Sequence, residues 1–321
     1  MIQPKKLCQD GKKLTGEKKD YKKMVAVHAA VSVGAMLLLY LVDLLCGYLM
    51  SDMSGLSSMG KMAVLKTIPQ VLSLAVSVAQ IFFTAGLWHL ALQAARGERS
   101  SFSRLTAGFF RLGPLFRYHL MLGIFGFLVC ALSLNVTPLF AMAIPVPQEL
   151  RQILQQVDED TIQSVSELLE MLPLEACLTY FIGVSAVFLA VCGGAGLFLR
   201  YRFLMAGYLL MDNKGMGAMA ALSISSMITK GNRTNLLKQD LRFWWYYLLQ
   251  FLLSLLPLLP LVWELAGLPV PMAMSWFTLL CYGVYGVLSI GLAFFAGARR
   301  HAALALAYEQ LKQYAPNYNR V

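Results

Sequence analysis

Six long apolar stretches constrain the fold more than any other feature of this 321-residue sequence. They lie at 24–50, 67–92, 116–145, 176–199, 243–264 and 273–298. Each is at least as long as the roughly 20 apolar residues that a helix needs to cross a bilayer. Charged residues make up 14% of the chain, against about 25% in soluble domains, so little polar surface remains to enclose six buried helices in water. The sequence therefore predicts an all-α polytopic membrane helix bundle with six transmembrane helices.

The basic residues predict the orientation of this bundle. All but three of the 27 lysines and arginines fall into four segments, which are 1–23, 93–117, 200–242 and 299–321. The three exceptions are Lys61, Lys66 and Arg151. Because Lys and Arg near helix ends resist translocation, we expect both termini in the cytoplasm. The predicted division is a basic cytoplasmic N-terminal segment (1–23), a six-helix transmembrane domain (24–298) and a cytoplasmic C-terminal tail (299–321).

The loop 146–176 lies on the predicted outer side and contains seven acidic residues against Arg151 alone. Its apolar residues recur at spacings of three and four, which predicts an amphipathic helix. We expect this helix to cover the outer end of the bundle. A docking site for a partner is the alternative.

The loop 200–242 predicts a helical hairpin on the cytoplasmic side. Asp212 or Asn213 can cap a helix that runs to about Thr229, with Lys230 in its last turn and Gly231 as a left-handed stop. A second short helix is expected to begin at Asn232. The first helix carries a weakly apolar face, formed by Met216, Met219, Ala220, Ser223 and Met227. This face either rests on the membrane surface or forms a Met-rich groove for a partner.

Three residues within the spans are candidates for function. Asp43 lies near the outer end of the first span, where an ionised side chain is costly. It either snorkels outward and pairs with Lys61 or Lys66, or it couples transport to a proton or ion. Pro257 and Pro260 are expected to kink the fifth span, which either opens a cavity or bends the helix around its neighbours. Glycines in the fourth and sixth spans predict close helix packing, at Gly193, Gly194, Gly196, Gly283, Gly286, Gly291 and Gly297.

Motifs for catalysis or for binding cofactors are not found, so we expect no enzyme activity and no cofactor. The four histidines, His28, His89, His119 and His301, lie near predicted inner helix ends, where two or more could meet in space. A metal site is the alternative to hydrogen-bonded interfacial histidines. The six cysteines stand singly, and Cys46 and Cys177 are the pair that could bond near the outer face.

Two loops carry a resemblance to a known family. The first contains Ala95-Arg96-Gly97-Glu98, Ser101-Phe102-Ser103 and Gly108-Phe109. The second contains Tyr208, Leu209, Asp212, Asn213, Ala221, Leu222, Ser223, Ser226, Met227, Lys230, Gly231, Leu236, Phe243 and Trp245. In both loops the chain resembles a family of uncharacterised six-span bacterial integral membrane proteins, common in Gram-positive bacteria. The resemblance implies a bacterial cytoplasmic-membrane protein without an assigned reaction.

Two functions remain open from the sequence. The first is a non-enzymatic multi-pass protein that binds membrane lipids, anionic ones at the cytoplasmic face, or a partner protein, and no nucleic acid. The eight lysines of 1–23 support lipid binding, although control of topology explains them equally well. The alternative is a small transporter or export component for an apolar or amphipathic substrate.

Overall fold

The computed structural model describes residues 2–51, 59–142, 144, 146–148, 151, 174–265 and 274–313, in which all regular elements are helices. The helices are α1 (Pro4–Glu17), α2 (Lys19–Ser51), α3 (Met59–Ala95), α4 (Phe102–Leu105), α5 (Leu112–Ala141), α6 (Leu174–Phe203), α7 (Ala206–Asp212), α8 (Ala218–Ile228), α9 (Arg233–Leu241), α10 (Trp244–Leu255), α11 (Leu259–Leu265), α12 (Met274–Leu292) and α13 (Ala298–Gln313). Two 3₁₀ turns occupy Thr106–Arg111 and Leu256–Leu258, and a π-helical turn at Ala293–Gly297 joins α12 to α13.

Within the residues that the structure describes, six helical segments are long and apolar enough to cross a membrane, which confirms the predicted number. They are Lys19–Met50, Met62–Ala95, Phe102–Phe140, Cys177–Asp212, Trp244–Trp263 and Ser275–Gln313. Large apolar side chains cover their outer surfaces, and Phe127 and Val287 are each 72% exposed. Such surfaces are costly in water and suit a bilayer. The outer amphipathic helix predicted within 146–176 lies almost entirely outside the described residues.

Contacts between residues divide the chain into two compact units. One unit comprises 1–118 and 202–321, and the other comprises 119–201. In the first unit α2 packs against α3 and α12, while α13 packs against α1 and α3. In the second unit Gly183 of α6 faces Ile144, whose side chain lies 3.4 Å from the position of an added Cβ. The candidate residues discussed below all belong to the first unit.

The basic N-terminal segment forms a helix, α1, that the sequence analysis did not predict. Pro4 stands in its first turn, where its missing N–H leaves no intrahelical bond unmade. Leu7, Gly11 and Thr15 recur every fourth residue and form its buried face. This face packs against α13 and α9, and a Cβ added at Gly11 would lie 3.1 Å from the carbonyl oxygen of Arg299. The opposite face is exposed and carries Lys5, Lys6, Lys12 and Lys13.

Two glycines bring the segment after α3 into backbone contact with that helix. An added Cβ at Gly86 would collide with the carbonyl oxygen of Leu105, and one at Gly108 would collide with the carbonyl oxygen of Phe82. Only a residue without a side chain permits such approaches between two backbones. The short α4 and its 3₁₀ turn are therefore fastened along the side of α3.

Close packing at the glycines of the fourth and sixth spans is only partly confirmed. Gly286 lies against Val33 of α2, where a Cβ would approach the Val33 Cγ1 atom to 2.6 Å. Gly297 lies 3.4 Å from the hydroxyl of Tyr246, again measured from an added Cβ. Among the described residues nothing lies within 4 Å of the Cβ position at Gly193, Gly194, Gly196, Gly283 or Gly291. The prediction was wrong at these five because a small side chain does not determine which helix face turns inward.

The cysteines of the described chain are free thiols, so the structure contains no bond between Cys46 and Cys177. Cys46 and Cys281 are buried, while Cys8, Cys130, Cys177 and Cys192 are half-buried. Their singly placed side chains behave as small apolar groups.

Candidate functional site

A cluster of charged side chains, which we call the polar anchor, joins the ends of three helices. It consists of Arg96, Asp212, Tyr308, Glu309 and Lys312. The Asp212 carboxylate accepts hydrogen bonds from the Arg96 guanidinium at 2.7 Å, the Lys312 ammonium at 2.7 Å and the Tyr308 hydroxyl at 2.9 Å. Arg96 also bonds the Glu309 carboxylate at 2.6 Å. The anchor thereby holds the C-terminal ends of α3 and α7 against α13.

Burial makes the Asp212 carboxylate dependent on these donors. Its side chain is 7% exposed, whereas Arg96 and Lys312 remain 35% and 31% exposed. A buried carboxylate without partners carries a large desolvation cost, which three donors offset here. Desolvation lowers the pKa of the Arg96 guanidinium, but the hydrogen bonds to Asp212 and Glu309 outweigh it and raise the pKa above its ordinary value.

The structure corrects the predicted role of Asp212 and Asn213 as helix caps. Asp212 ends α7, and α8 begins only at Ala218, after Gly217 in the capping position. Asp212 lies too far before Ala218 to cap α8, and its carboxylate instead accepts hydrogen bonds from Arg96, directly after α3, and from Tyr308 and Lys312 of α13. Asn213 contributes its backbone carbonyl, which accepts a hydrogen bond of 2.7 Å from the Arg111 guanidinium. Both residues therefore fasten the chain between α7 and α8.

The helical hairpin itself is confirmed after this corrected start. Helix α8 ends at Ile228, and Gly231 adopts a left-handed φ of 80°, as predicted. Helix α9 begins at Arg233 directly after Asn232, whose side-chain oxygen accepts a hydrogen bond from the Ile2 backbone amide at 3.2 Å. Lys230 is exposed in the turn and points to no binding site within the described residues.

Helix α8 presents its methionines outward. Ser223 is exposed, and Met219 and Met227 are each 62% exposed. The opposite face is buried and contains Ala218, Ala221, Leu222, Ile224, Ser225 and Ile228. The face that carries Ser223 is thus available to a membrane surface or to a partner, and both alternatives from the sequence stay open.

Asp43 and the two prolines lie on different elements of the fold. Asp43 is exposed on α2 and is close enough to Tyr282 of α12 for an electrostatic interaction. No ion pair joins Asp43 to Lys66 among the described residues, which exclude the Lys61 side chain. Pro257 lies in the 3₁₀ turn Leu256–Leu258, and Pro260 follows in the first turn of α11. A 3₁₀ turn therefore interrupts the regular α-helix of the fifth span at the first of the two prolines expected to kink it.

A cavity of about 310 Å³, which we call the polar pocket, opens between five helices of the first unit. Its polar lining is His28 and Ser32 of α2, Thr84 of α3, Tyr246, Tyr247 and Gln250 of α10, Tyr285 and Ser289 of α12, and Arg300 and His301 of α13. The volume lies at the lower end of the range for small-molecule sites. Asp43, Pro257 and Pro260 do not line it.

Arg300 is held at the polar pocket by neighbours outside and inside it. Its Nε donates to the Asp240 carboxylate at 3.3 Å and to the Tyr247 hydroxyl at 2.6 Å. The Arg300 side chain is 13% exposed and the Asp240 side chain 4%. Asp240 itself does not line the pocket. The Asp240 carboxylate therefore neutralises the buried Arg300 charge from outside the pocket. Among the described residues, no carboxylate lines the cavity that Arg300 adjoins.

Two of the four histidines meet at this pocket, as the sequence suggested for histidines at helix ends. His28 and His301 both line it and are close enough to interact electrostatically. The buried atoms His28 Nε2 and His301 Nδ1 have no hydrogen-bond partner in the described part of the chain. Within the same residues no group of three or more His, Cys, Asp or Glu side chains could hold a metal ion.

The sequence analysis missed Arg300, Tyr247 and Gln250 as site residues. In the sequence Arg300 is one of the basic residues that predict orientation, Tyr247 belongs to an aromatic run typical of a membrane interface, and Gln250 carries no signal. A usable signal existed in Arg300-His301 and His28, which are polar residues inside or beside apolar runs. The spacing along the chain gave no indication that α2, α10 and α13 come together.

Fold and site together define a helical architecture with six segments that could span a membrane and a polar pocket within the helices. The chain belongs to the family described as "Protein of unknown function (DUF975)", which matches residues 16–313. This match confirms the resemblance found in the two loops. Neither a curated protein nor a solved structure matches the chain.

Proposed function

We propose that the chain is a non-enzymatic multi-pass protein of a bacterial cytoplasmic membrane that acts by binding anionic lipids at its cytoplasmic face. The observation that carries this proposal is the arrangement of α1. Its buried face packs on α13, so its exposed lysines are held as one surface instead of moving independently. Each Lys close to an anionic bilayer contributes about 1 kcal/mol of attraction.

Lipid retention tests this proposal directly. The purified chain is reconstituted in vesicles of equal phosphatidylglycerol and phosphatidylcholine with identical acyl chains, and the lipids that it retains are counted by native mass spectrometry. We expect phosphatidylglycerol in excess, and less of that excess in K12Q/K13Q. The matched control, K12R/K13R, keeps the charge and is expected to behave as the native chain. Equal retention of both lipids by the native chain would refute the proposal.

The orientation in the proposal has its own test. A cysteine at Lys238, which is exposed on α9, is compared with a cysteine at Gln155 for labelling by a membrane-impermeant maleimide in intact cells. The native cysteines are first replaced by serine or alanine. With both termini in the cytoplasm, only the cysteine at 155 is labelled. Labelling at 238 alone would invert the proposed topology.

A protein partner is a second candidate, and the outward methionine face of α8 favours it. Met219 and Met227 flank Ser223 on a surface that the described residues leave uncovered. Extraction in native lipid patches is expected to retain a stoichiometric protein that M219S/M227S releases. Identical protein composition with and without the two substitutions would remove this candidate.

Transport of an amphipathic substrate receives less support. Asp43, Pro257, Pro260 and the glycines of the fourth and sixth spans motivated that alternative, and of these only Gly297 lines the polar pocket. Transport predicts flux of substrate into vesicles that Asp43→Asn reduces, with Asp43→Glu as the control that retains the charge.

A further inference from the structure

We propose that the polar pocket binds a phosphate ester, with Arg300 as its main ligand. The proposal begins with the chemistry of the lining. Side-chain hydroxyl, amide, imidazole and guanidinium groups converge there, while no carboxylate lines the pocket among the described residues. A surrounding rich in donors and free of acidic groups selects an anion over a cation.

The hydrogen bonding of Arg300 supports a bound anion. Within the described chain its hydrogen bonds are made by Nε, which donates to Asp240 and Tyr247, and the guanidinium also lies over the Tyr247 ring at 5.0 Å from the centroid. The two terminal nitrogens of the guanidinium are therefore left for another acceptor. Arginine binds phosphate through two parallel hydrogen bonds, a geometry that these nitrogens provide.

The two histidines place unsatisfied polar atoms next to the pocket. His28 Nε2 and His301 Nδ1 are buried polar atoms without a partner in the residues that the structure describes. Buried polar groups are nearly always hydrogen-bonded, and those that are not mark sites of function or of bound molecules. Both atoms are closed off from the cavity itself, so they are unsatisfied polar groups beside Arg300 and are not counted as ligands of the phosphate.

The backbone is also unusual at this place. Ala293 and Gly297 line the pocket and are the two ends of the π-helical turn between α12 and α13. A π turn inserts an extra residue into the helix and is found most often at functional sites. Here it precedes Arg300 and His301 by less than two turns and so sets the direction in which both side chains leave α13.

The position of the pocket indicates where the phosphate comes from. Ser32, which lines the pocket, lies 13 residues after Lys19, the first residue of α2. The pocket therefore reaches about 20 Å along α2 from the basic end of that helix. Gln250 lines the pocket and is exposed; Leu249, next to it in the chain, is 42% exposed, and Leu288, next to the lining residue Ser289, is 48% exposed. A phosphate head group can enter at Gln250 while acyl chains stay on this apolar exterior. The shared chemistry is a phosphate ester, and a lipid is its expected source.

This inference deepens the proposed function and rests on it only for the membrane setting. The binding assay uses the full chain in detergent and records the melting temperature as each probe is added. A molecule that binds only the folded state raises the melting temperature with its concentration. The probes are dihexanoyl phosphatidylglycerol, dihexanoylglycerol without phosphate, and glycerol 3-phosphate.

We expect saturable stabilisation by dihexanoyl phosphatidylglycerol and none by dihexanoylglycerol. Equal stabilisation by glycerol 3-phosphate would keep the phosphate site and assign it to a soluble ester. Arg300→Gln is expected to weaken binding by at least about tenfold, because it removes charge-assisted hydrogen bonds. Stabilisation by dihexanoylglycerol equal to that by the phospholipid would overturn the proposal.

A second variant keeps the test decisive if Arg300→Gln does not fold, since that change removes the cation of the ion pair with the buried Asp240. Gln250→Leu removes a polar group at the opening, and its control is Gln70→Leu, an exposed glutamine of α3 outside the pocket. Binding that is weaker in Gln250→Leu and native in Gln70→Leu supports the site. Native affinity in both refutes it. The α1 variant K12Q/K13Q is expected to keep pocket binding, so the two proposals fail separately.

Discussion

Replacing Asp212 by asparagine tests how the polar anchor holds the helices together. The substitution keeps the size of the side chain and removes its charge. One carboxylate oxygen accepts from Arg96, and the other accepts from Tyr308 and Lys312. An asparagine has one acceptor oxygen and one amino group, so either Arg96 or the pair Tyr308 and Lys312 must face a second donor. At least one charge-assisted hydrogen bond is lost whichever way the amide is turned.

The expected cost follows from the exposure of the partners. Breaking a fully buried ion pair costs about 3–5 kcal/mol, and a hydrogen bond to a charged group contributes about 1.5–3 kcal/mol. Arg96 and Lys312 are about one third exposed, so water solvates whichever cation loses its partner. We therefore expect Asp212→Asn to lower the free energy of unfolding by about 2 kcal/mol, which corresponds to a melting temperature several degrees lower.

Thermal unfolding in detergent measures this difference against a matched control. Glu98→Gln makes the same carboxylate-to-amide change in the ion pair with Arg104, in which the Glu98 side chain is 47% exposed. Exposed pairs contribute about 0–1 kcal/mol, so this variant is expected to melt close to the native chain. If Asp212→Asn and Glu98→Gln have the same melting temperature, the polar anchor does not stabilise the fold and the reasoning fails.

Three further outcomes are expected. Gly86→Ala should melt several degrees below Gly34→Ala in detergent. The added Cβ at Gly86 collides with the carbonyl of Leu105, whereas the one at Gly34 meets open space. Equal melting temperatures of the two variants would contradict the contact. Gly231→Ala should lose about 1 kcal/mol relative to Gly34→Ala in the same assay, because a left-handed φ of 80° strains any residue with a Cβ; an unchanged stability would argue against that turn. Burial raises the pKa of the Cys8 thiol, so its alkylation by iodoacetamide, followed by mass spectrometry, should still accelerate above pH 9, and a plateau below that pH would be inconsistent.

The number of spans was predictable because the thickness of the bilayer core determines how long each apolar helix must be. A membrane span must be apolar over about 20 residues, whichever helices surround it. A single sequence therefore reveals the six spans. The turn at Gly231 was predictable for a similar reason, since a left-handed residue after a helix is usually glycine. Helix α1 was overlooked because its buried face consists of Leu7, Gly11 and Thr15, of which only Leu7 is a large apolar residue, so no apolar stripe is visible in the sequence.

The candidate site was less predictable because it depends on which helices meet. Asp212 was expected to cap the helix that follows it, a local interaction, whereas donors 100 residues away in α13 occupy its carboxylate. The polar pocket likewise draws its lining from α2, α3, α10, α12 and α13. Periodicity describes one helix at a time, so it gives the face of each and leaves their arrangement undetermined.

The spacing of the lysines on α1 separates two explanations that their number cannot. Control of topology requires basic residues near the end of the first span and places no condition on their arrangement. Lys5 and Lys6 are followed seven residues later by Lys12 and Lys13, which is close to two helical turns. Both pairs therefore fall on the face opposite Leu7 and Gly11, which α13 and α9 cover. This arrangement agrees with the proposed attraction to an anionic bilayer, and the comparison of K12Q/K13Q with K12R/K13R distinguishes that attraction from the polar exterior that any docked helix presents to water.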